Sequence, residues 1–444
     1  MGIAAYVAIA GSLFIALWKY PAVALAGVLC MFGLEQWGQA TTTFFAQHHA
    51  ATNFMIGGIL ILALVIQGVR KGFSIFAGYP TVGWLTLALF LYAFTSTQWA
   101  PRPDISLDLW AKGWPYLVTF LVLSPLVVTE TKDLRSAYTA LLLIGGSLSI
   151  LLLFFVKWET RRIVLDHGLG NPLAVAAMAG MVVLIAILAD PWPQSKLWLP
   201  AKWVLVALCL ALVVKSGSRG QLLGVVVLSA VCWPISRGMG SSRQFIGWIL
   251  LLLFFGGITT WAMQEFWAEQ ETYYAGGNRW SEQAMQGAMS GRLDQALLLV
   301  GLWYSTPETV LFGLGNSASF DPRILGIYPH FVPLEILAEE GLIGFTLFLL
   351  TLFVTARNAL RCYRHVQGIP SERPLFAVLI ATFLYALLLA LKQGNLLGNL
   401  ELFLFGIVLG KYDQWRLTIR LREHQAESPR ESTVDVFSGY PVLR

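Results

Sequence analysis

Charged residues are scarce in this sequence. Only 12% of its 444 residues are Asp, Glu, Lys or Arg, and 57% are hydrophobic. An ordinary soluble domain carries about 25% charged residues. Many apolar runs approach the ~20 residues that a helix needs to cross a bilayer, and lipid leaves helices as the main way to satisfy the backbone there. The composition therefore predicts an all-α, polytopic integral membrane protein whose constant partner is the lipid bilayer.

Several kinds of site are also missing from the sequence. The four cysteines are scattered, which favours neither a disulfide framework nor a zinc site. There is no Gly-Lys-Ser/Thr phosphate loop, no His-Glu-x-x-His and no close pair of acids on the predicted outer side. We therefore expect no metal and no cofactor. The net charge of +5 is attributed to basic cytoplasmic loops, so no nucleic-acid partner is expected.

Hydropathy divides most of the chain into apolar segments separated by short polar loops. Because the opening pair could be one interrupted helix, we predict 12 to 14 transmembrane helices. Residues 1–410 would form one membrane domain, and residues 411–444 a cytoplasmic tail that is partly disordered. The segments are 3–18, 20–35, 53–69, 79–96, 113–128, 137–156, 171–189, 201–215, 219–235, 245–263, 335–356, 374–391 and 395–410.

Lys and Arg in the loops predict the orientation. Loops 70–71, 236–244 and 357–373 share one side with the basic tail, and we assign that side to the cytoplasm. The large loop 264–334 then faces outward, with Leu293 to Trp303 as a short helix along the membrane surface. The positive-inside rule works against cations on this outer side, which suggests an anionic ligand there. Those cations are Arg102, Lys112, Lys157, Arg161, Arg162, Lys215, Arg219, Arg279, Arg292, Arg323 and Lys392.

A turn with the sequence Ser-Gly-Ser-Arg-Gly, residues 216–220, leads into an outward-facing helix start. Exposed N–H groups and the positive end of the helix dipole favour an anion at such a place. Arg219 adds a guanidinium that can hold a phosphate at two points. The alternative is a tight turn capped by Ser218, with Arg219 reaching to lipid headgroups.

A second turn, Gly168 to Pro172, has the same geometry and carries Asn171. Arg161 and Arg162 precede it, as do Asp166 and His167. Gly-Asn-Pro is also a common turn sequence, so this signal is weaker. Gly291-Arg292 would open the surface helix and bring another arginine over the same pocket.

His330 is the sharpest single candidate for chemistry. It stands where the large loop re-enters an apolar helix, and a neutral imidazole can take a proton from an attacking hydroxyl. Glu339 and Glu340 follow at the membrane entry, where a carboxylate needs a partner, and could pair with an arginine of the site. The alternative is an interfacial histidine followed by ordinary helix-entry acids.

Together these residues resemble the O-antigen ligase and O-antigen polymerase superfamily of bacterial membrane glycosyltransferases. Members carry His-Asn-x-x-Leu, then Glu and x-Gly-x-x-Gly entering a helix after the large outer loop. The chain departs from this pattern at Phe331, where the family usually has Asn or Ser. The matching residues are His330, Leu334, Glu339, Gly341 and Gly344, with the turns 217–220 and 170–172, Gly291-Arg292 and the stretch 312–315.

The resemblance implies an inverting, metal-independent transfer of a glycan from undecaprenyl diphosphate to an acceptor hydroxyl. It implies a multi-pass protein of the bacterial inner membrane with a periplasmic active site. His330 would be the general base, and the pyrophosphate would be held by arginines, with Glu339, Asn171 and Ser218 in support. The implied pyrophosphate-binding residues are Arg219, Arg292, Arg161 and Arg162.

Three acceptors remain open within this class. A ligase would use lipid A–core, a polymerase a lipid-linked glycan, and a third type a protein; we favour the ligase. A transporter of lipid-linked oligosaccharides would also need outer cations. It would be expected to have broken or polar helices near the bilayer midplane, whereas the polar residues here gather at one surface.

Overall fold

The computed structural model describes most of the chain. For residues 2–3, 5, 282–290 and 419–427 it describes the backbone alone. The described residues are 2–72, 78–159, 161–165, 168–189, 191–192, 194–238, 241–250, 253, 256–257 and 282–427.

Helices make up nearly all of the described structure. In the first half they are α1 (Gly2–Leu17), α2 (Ala24–Thr41), α3 (Thr43–Gln47), α4 (Ala51–Lys71), α5 (Thr81–Ser96), α6 (Pro103–Leu117), α7 (Ser124–Val127) and α8 (Thr131–Phe154), with a π-helix at Val118–Leu123 and 3₁₀ turns at Pro21–Val23 and Thr97–Trp99. In the second half they are α9 (Pro172–Leu188), α10 (Trp198–Lys215), α11 (Arg219–Arg237), α12 (residues 242–250), α13 (Glu282–Trp303), α14 (Pro307–Phe312), α15 (Val332–Val366), α16 (Arg373–Ala390) and α17 (Leu400–Glu427), with 3₁₀ turns at Ala318–Phe320 and Leu396–Gly398.

Long apolar helices confirm the all-α polytopic class. Seven helices in the described part of the chain are long and apolar enough to cross a membrane, and two shorter apolar helices, Tyr6–Leu17 and Pro172–Leu188, accompany them. Most of the predicted segment 245–263 lies outside the described residues. Helix α9 is largely buried and packs against α2, α8, α10, α11 and α16. Its amino end presents Asn171.

A small antiparallel sheet replaces part of a predicted loop. Strands β1 (Trp158–Glu159), β2 (Arg162–Leu165) and β3 (Gly168–Leu169) pair in that order. The register places Trp158 opposite Ile163, and Val164 opposite Leu169. Ile163 is fully buried, which anchors the sheet. The turn predicted from Gly168 to Pro172 is therefore shorter than expected, because Gly168 and Leu169 are strand residues and only Gly170 and Asn171 connect β3 to α9.

Helix α15 is longer than the predicted segment 335–356, and it is kinked. Gly341 has φ 63° and ψ −165°, outside the helical region. The kink frees the carbonyls of Ala338 and Glu339, which accept hydrogen bonds from the N–H groups of Leu314 and Gly315, both at 2.9 Å. A Cβ atom at Gly341 would lie 2.4 Å from the Gly313 nitrogen. The loop that precedes the helix therefore docks into the kink, and no side chain fits at Gly341.

Helix α17 does not end at residue 410, where the predicted apolar segment ends. Two cations after this point, Lys411 and Arg416, are buried and bonded to residues outside α17, so falling hydropathy does not stop the helix. Lys411 donates to the carbonyl of Pro125 at 2.6 Å, and Arg416 pairs with Glu372. The predicted tail is thus helical up to Glu427, and residues 428–444 lie outside the described part.

Candidate functional site

The turn before α11 is compact and buried. Ser216 and Ser218 are both almost inaccessible, and their hydroxyl oxygens lie 2.8 Å apart. Gly217 has φ 68°, a left-handed conformation that glycine adopts without strain. The side chain of Ser218 makes no cap hydrogen bond to the helix. The alternative of a turn capped by Ser218 is therefore wrong, and Ser218 supports the turn through Ser216 instead.

Two cationic side chains approach this turn from distant parts of the chain. A Cβ atom on Gly217 would lie 2.8 Å from Cδ of Arg161. A Cβ atom on Gly220 would lie 2.3 Å from Nζ of Lys392. With Arg219 as the first residue of α11, three cationic residues gather at a helix amino terminus, where the helix dipole also favours an anion. Lys392 was named only as an outer cation, since nothing in the sequence shows its approach to Gly220.

Arg161 and Arg162 have different environments. Arg161 has φ 67° at the bend before β2, a conformation unusual for a residue with a side chain. Arg162 is exposed in β2, opposite Glu159, and no described contact joins it to the α11 turn. Arg161 is therefore a neighbour of the α11 turn, whereas Arg162 lies in the sheet opposite Glu159.

A polar bridge links the α11 turn to a cavity. Gln221 is fully buried, and its amide nitrogen donates to Oε1 of Gln393 at 2.9 Å. Gln393, Asn171 and Tyr328 all line a cavity of about 330 Å³ between α9, α16 and α17. Asn171 caps α9, since its Oδ1 accepts from the N–H of Leu173 at 3.0 Å. The predicted residue Asn171 is thus both a helix cap and part of a cavity wall.

His330 stands immediately before the cap of α15 in a strained backbone. Its φ is 60°, which costs free energy in a residue with a side chain and is often found at functional sites. The imidazole lies edge-on to the Tyr328 ring, with centroids 4.3 Å apart. Burial lowers the pKa of His330 below its ordinary value of 6.5, and the positive charge of Arg292 lowers it further. The neutral imidazole, the form a general base requires, is therefore favoured near pH 7.

Arg292 lies inside α13 and does not open a helix as predicted. The helix begins at Glu282, in a stretch too polar for a hydropathy pattern to include. Arg292 is exposed, as are Leu293 and Leu297 one turn on, while Leu299 is fully buried. This part of α13 thus has one face packed against the protein and one face exposed. Whether that second face contacts lipid stays a prediction.

Glu339 and Glu340 do not pair with an arginine, contrary to the prediction. Glu339 accepts hydrogen bonds from the backbone N–H groups of Ser317 at 2.6 Å and Ser319 at 2.9 Å. Glu340 accepts from the Asn316 amide at 2.8 Å and the Ser96 hydroxyl at 2.7 Å. Neither carboxylate forms an ion pair with any described residue. Backbone N–H groups of the docked loop take the place of the expected arginine at Glu339, and the side chains of Asn316 and Ser96 take it at Glu340.

Asn316 is the centre of this buried arrangement, which we call the polar knot: Ser96, Ser106, Trp110, Asn316, Ser317, Ser319, Glu339 and Glu340. The Oδ1 of Asn316 accepts from the Trp110 indole at 2.9 Å, and its carbonyl accepts from Ser106 at 2.7 Å. The sequence pattern included the neighbouring stretch 312–315 but not Asn316 itself.

Glu339 supports the site indirectly, because its hydrogen bonds to Ser317 and Ser319 fix the loop that leads to His330.

The predicted site residues form two groups in the structure. Arg161, Ser218 and Arg219 gather at the α11 turn, and His330 lies within electrostatic range of Arg292. The cavity joins them, because it is lined both by Gln393, which is bonded to Gln221 beside the turn, and by Tyr328, whose ring lies edge-on to His330. Asp166 and His167 lie outside the described residues.

Comparisons with protein-family models and with curated proteins identify no related protein. Within the described residues, no three His, Cys, Asp or Glu side chains are grouped as a metal site requires.

Proposed function

We propose that the protein is a metal-independent glycosyltransferase of the O-antigen ligase type, which moves a glycan from undecaprenyl diphosphate to a hydroxyl of lipid A–core. In this proposal it crosses the bacterial inner membrane 12 to 14 times, with its active site at the periplasmic face. The observation that carries the proposal is the pairing of His330, whose neutral form is favoured, with cations gathered at a neighbouring helix terminus.

His330 acts as the general base. Its imidazole takes the proton of the acceptor hydroxyl while the hydroxyl oxygen forms a bond to the anomeric carbon. The bond from that carbon to the diphosphate oxygen breaks, and undecaprenyl diphosphate leaves with the electron pair. Attack opposite the leaving group inverts the anomeric configuration. A neutral imidazole at working pH is what this step requires.

Arg219, Arg161 and Lys392 bind the departing diphosphate at the α11 turn. Arginine forks match phosphate geometry at two points, and the helix terminus adds partly positive N–H groups. Charge that develops on the leaving oxygen is then stabilised by groups already in place. Arg292 has two effects, since it adds positive charge over the site and favours neutral His330.

A polymerase that uses a lipid-linked glycan as acceptor would have the same donor chemistry. The polar knot and the α11 turn supply no feature that distinguishes the two acceptors. A transporter remains the alternative from another class, and an unbroken path of polar residues through the helices would favour it. The kink in α15 breaks a helix, but its free carbonyls are taken by the docked loop, which leaves them unavailable to a passing substrate.

The test separates these alternatives in proteoliposomes that contain the purified protein. Undecaprenyl-diphosphate-linked glycan is supplied with lipid A–core or with a second lipid-linked glycan as acceptor. A ligase gives glycosylated lipid A–core, and a polymerase gives a longer lipid-linked glycan. Movement of the donor between leaflets with no new glycosidic bond would contradict the proposal and indicate a transporter.

A further inference from the structure

A second cavity lies at the opposite end of α11 from the cationic turn. Its volume is about 670 Å³, and it forms where α11 and α15 end and α16 begins. Small-molecule sites typically have volumes of about 300–1,000 Å³. Two arginines line the cavity, Arg237 from α11 and Arg373 from α16, and no Asp or Glu is among the described residues of its lining. The charge of the lining therefore favours an anion.

Arg373 is held in place at the wall of this cavity. Its guanidinium donates a hydrogen bond to the carbonyl of Gln367. Its Nη1 atom lies 2.3 Å from the position that a Cβ atom on Gly238 would occupy. Gly238 directly follows Arg237 in the sequence, so the Arg373 side chain lies against the chain segment that carries the other arginine. An anion in the cavity would thus meet a guanidinium that is already positioned.

The acids at this end of the molecule have other partners. Glu372 precedes Arg373 in the sequence, but its carboxylate pairs with Arg416 of α17. Asp413 pairs with Arg361. Arg373 is also the first residue of α16, where the positive end of the helix dipole disfavours a cation. An added anion would offset this unfavourable interaction.

The surroundings of the cavity indicate a lipid headgroup as the anion. Helices α11, α15 and α16 are each long and apolar enough to cross a membrane, so a cavity at their ends lies near the level of the headgroups. Pro234, Ile235 and the ring of Tyr363 give it apolar surface beside the arginines. Tyrosine is typical of the membrane–water interface, and basic pockets between membrane helices are typical sites for anionic headgroups.

We propose that this cavity binds an anionic phospholipid, with the phosphate held by Arg237 and Arg373 and the glycerol and upper acyl chains against Ile235 and Tyr363. Arg237 and Tyr363 are exposed, and Ile235 and Arg373 are half-buried, so a ligand can contact all four. An excess of cations in cytoplasmic loops is common, but it does not by itself bring two arginines to one cavity that described acids do not line. The proposal depends on the membrane class of the protein and is independent of the proposed glycan transfer.

The experiment measures the affinity of the full-length protein, purified in a neutral detergent, for three probes. These are phosphatidylglycerol, phosphatidylcholine with the same acyl chains, and inorganic phosphate. Phosphatidylglycerol should bind about tenfold more tightly than phosphatidylcholine, which corresponds to one good charge-assisted hydrogen bond. Arg237→Gln and Arg373→Gln should each remove most of this preference. Inorganic phosphate should bind more weakly than phosphatidylglycerol, because it has no apolar part.

Arg364→Gln is the matched control, because it removes an exposed cation beside Tyr363 that does not line the cavity. It should leave the preference for phosphatidylglycerol unchanged. If loss of the Gln367 contact unfolds Arg373→Gln, Arg237→Gln still tests the site, since Arg237 is exposed.

Three results would overturn the proposal. The first is equal affinity for the two phospholipids. The second is a preference that Arg237→Gln retains, or that Arg364→Gln loses to the same extent. The third is binding of inorganic phosphate as tight as that of phosphatidylglycerol, which would assign the cavity to a soluble anion.

Discussion

Two polar regions flank the start of α15, and they differ in how their charges are compensated. In the polar knot, the oxygens of Glu339 and Glu340 receive hydrogen bonds from the protein itself. At the α11 turn, cationic side chains crowd a helix terminus that also favours anions. Each carboxylate oxygen in the first region has a hydrogen-bond donor within the protein, whereas the second region gathers positive charge at one helix terminus. The partners of a polar residue therefore indicate whether it serves structure or function, and its chemical type alone does not.

The largest expected effect concerns His330, the proposed base, which lies outside the polar knot. His330→Ala should lower glycan transfer by about 10²–10⁴-fold, the usual contribution of a general acid–base group. Its thermal stability should not fall, because a strained backbone conformation and a half-buried ring are not a packing element. His48→Ala, which removes a histidine from another loop, is the control for activity. Near-normal transfer by His330→Ala would remove the proposed base.

Asn316→Ala should show the opposite pattern. The change leaves the Trp110 indole without its acceptor and Oε1 of Glu340 without its donor, although Oε2 of Glu340 keeps the Ser96 hydroxyl, so the free energy of unfolding should fall by about 1–3 kcal/mol. Thermal unfolding in detergent measures this. Asn53→Ala, which removes a single hydrogen bond to Tyr116, should cost less. Equal unfolding free energies for Asn316→Ala and Asn53→Ala would show that the polar knot does not stabilise the fold more than an ordinary hydrogen bond does.

Replacing arginine with lysine tests the cationic turn. Arg219→Lys and Arg292→Lys keep the charge but lose the planar fork, so each should lower kcat/KM by roughly tenfold. Arg102→Lys is the matched control, because Arg102 makes a comparable two-point contact with Asp104 (2.9 and 2.6 Å). Full activity in both test variants would mean that the two arginines supply only a diffuse positive field.

The pH profile gives a smaller effect. The pKa of His330 lies below 6.5 in the folded protein, so activity is present above that pKa and is lost as pH falls through it. The acid limb of kcat/KM should therefore lie below pH 6.5. Arg292→Gln should move it upward but not fully to 6.5, because burial is the larger cause. If the acid limb does not move in Arg292→Gln, Arg292 does not lower the pKa of the base.

Some of this arrangement could be predicted from the sequence. Hydropathy identified the membrane class, since a helix in lipid needs only a long apolar run. The position of a histidine at the entry to an apolar helix made His330 a candidate general base. The local pattern Gly-x-x-Gly pointed to Gly341, although the kink there depends on the docked loop.

The rest depends on contacts between distant residues. The Ser96 hydroxyl that reaches Glu340 is 244 positions away, and the Gln393 side chain bonded to Gln221 is 172 positions away. No pattern within a segment carries such pairings. The continuation of α17 was missed for the same reason, since Lys411 is stabilised by Pro125, 286 positions earlier. The strands β1 and β3 have two residues each, too few for an alternating pattern to show.

The smallest expected effect concerns metal ions. Three acids of the predicted outer side are the available candidates for metal ligands: Asp166, Asp294 and Asp321. Asp321 is held by Arg323 at 2.6 Å, Asp294 is exposed on α13, and Asp166 lies outside the described residues. In the proposed mechanism, cations of the chain neutralise the diphosphate without a metal. Added salt should therefore weaken transfer more than chelation does, because exposed attraction is screened over about 8–10 Å.

The central claim is that these cations carry the leaving diphosphate, and glycan transfer by the purified protein in excess EDTA tests it most directly. We expect transfer from the undecaprenyl-diphosphate-linked donor to continue with little loss of rate, and addition of Mg²⁺, Mn²⁺ or Ca²⁺ to change it little. Loss of activity in EDTA that one of these ions restores would contradict the account.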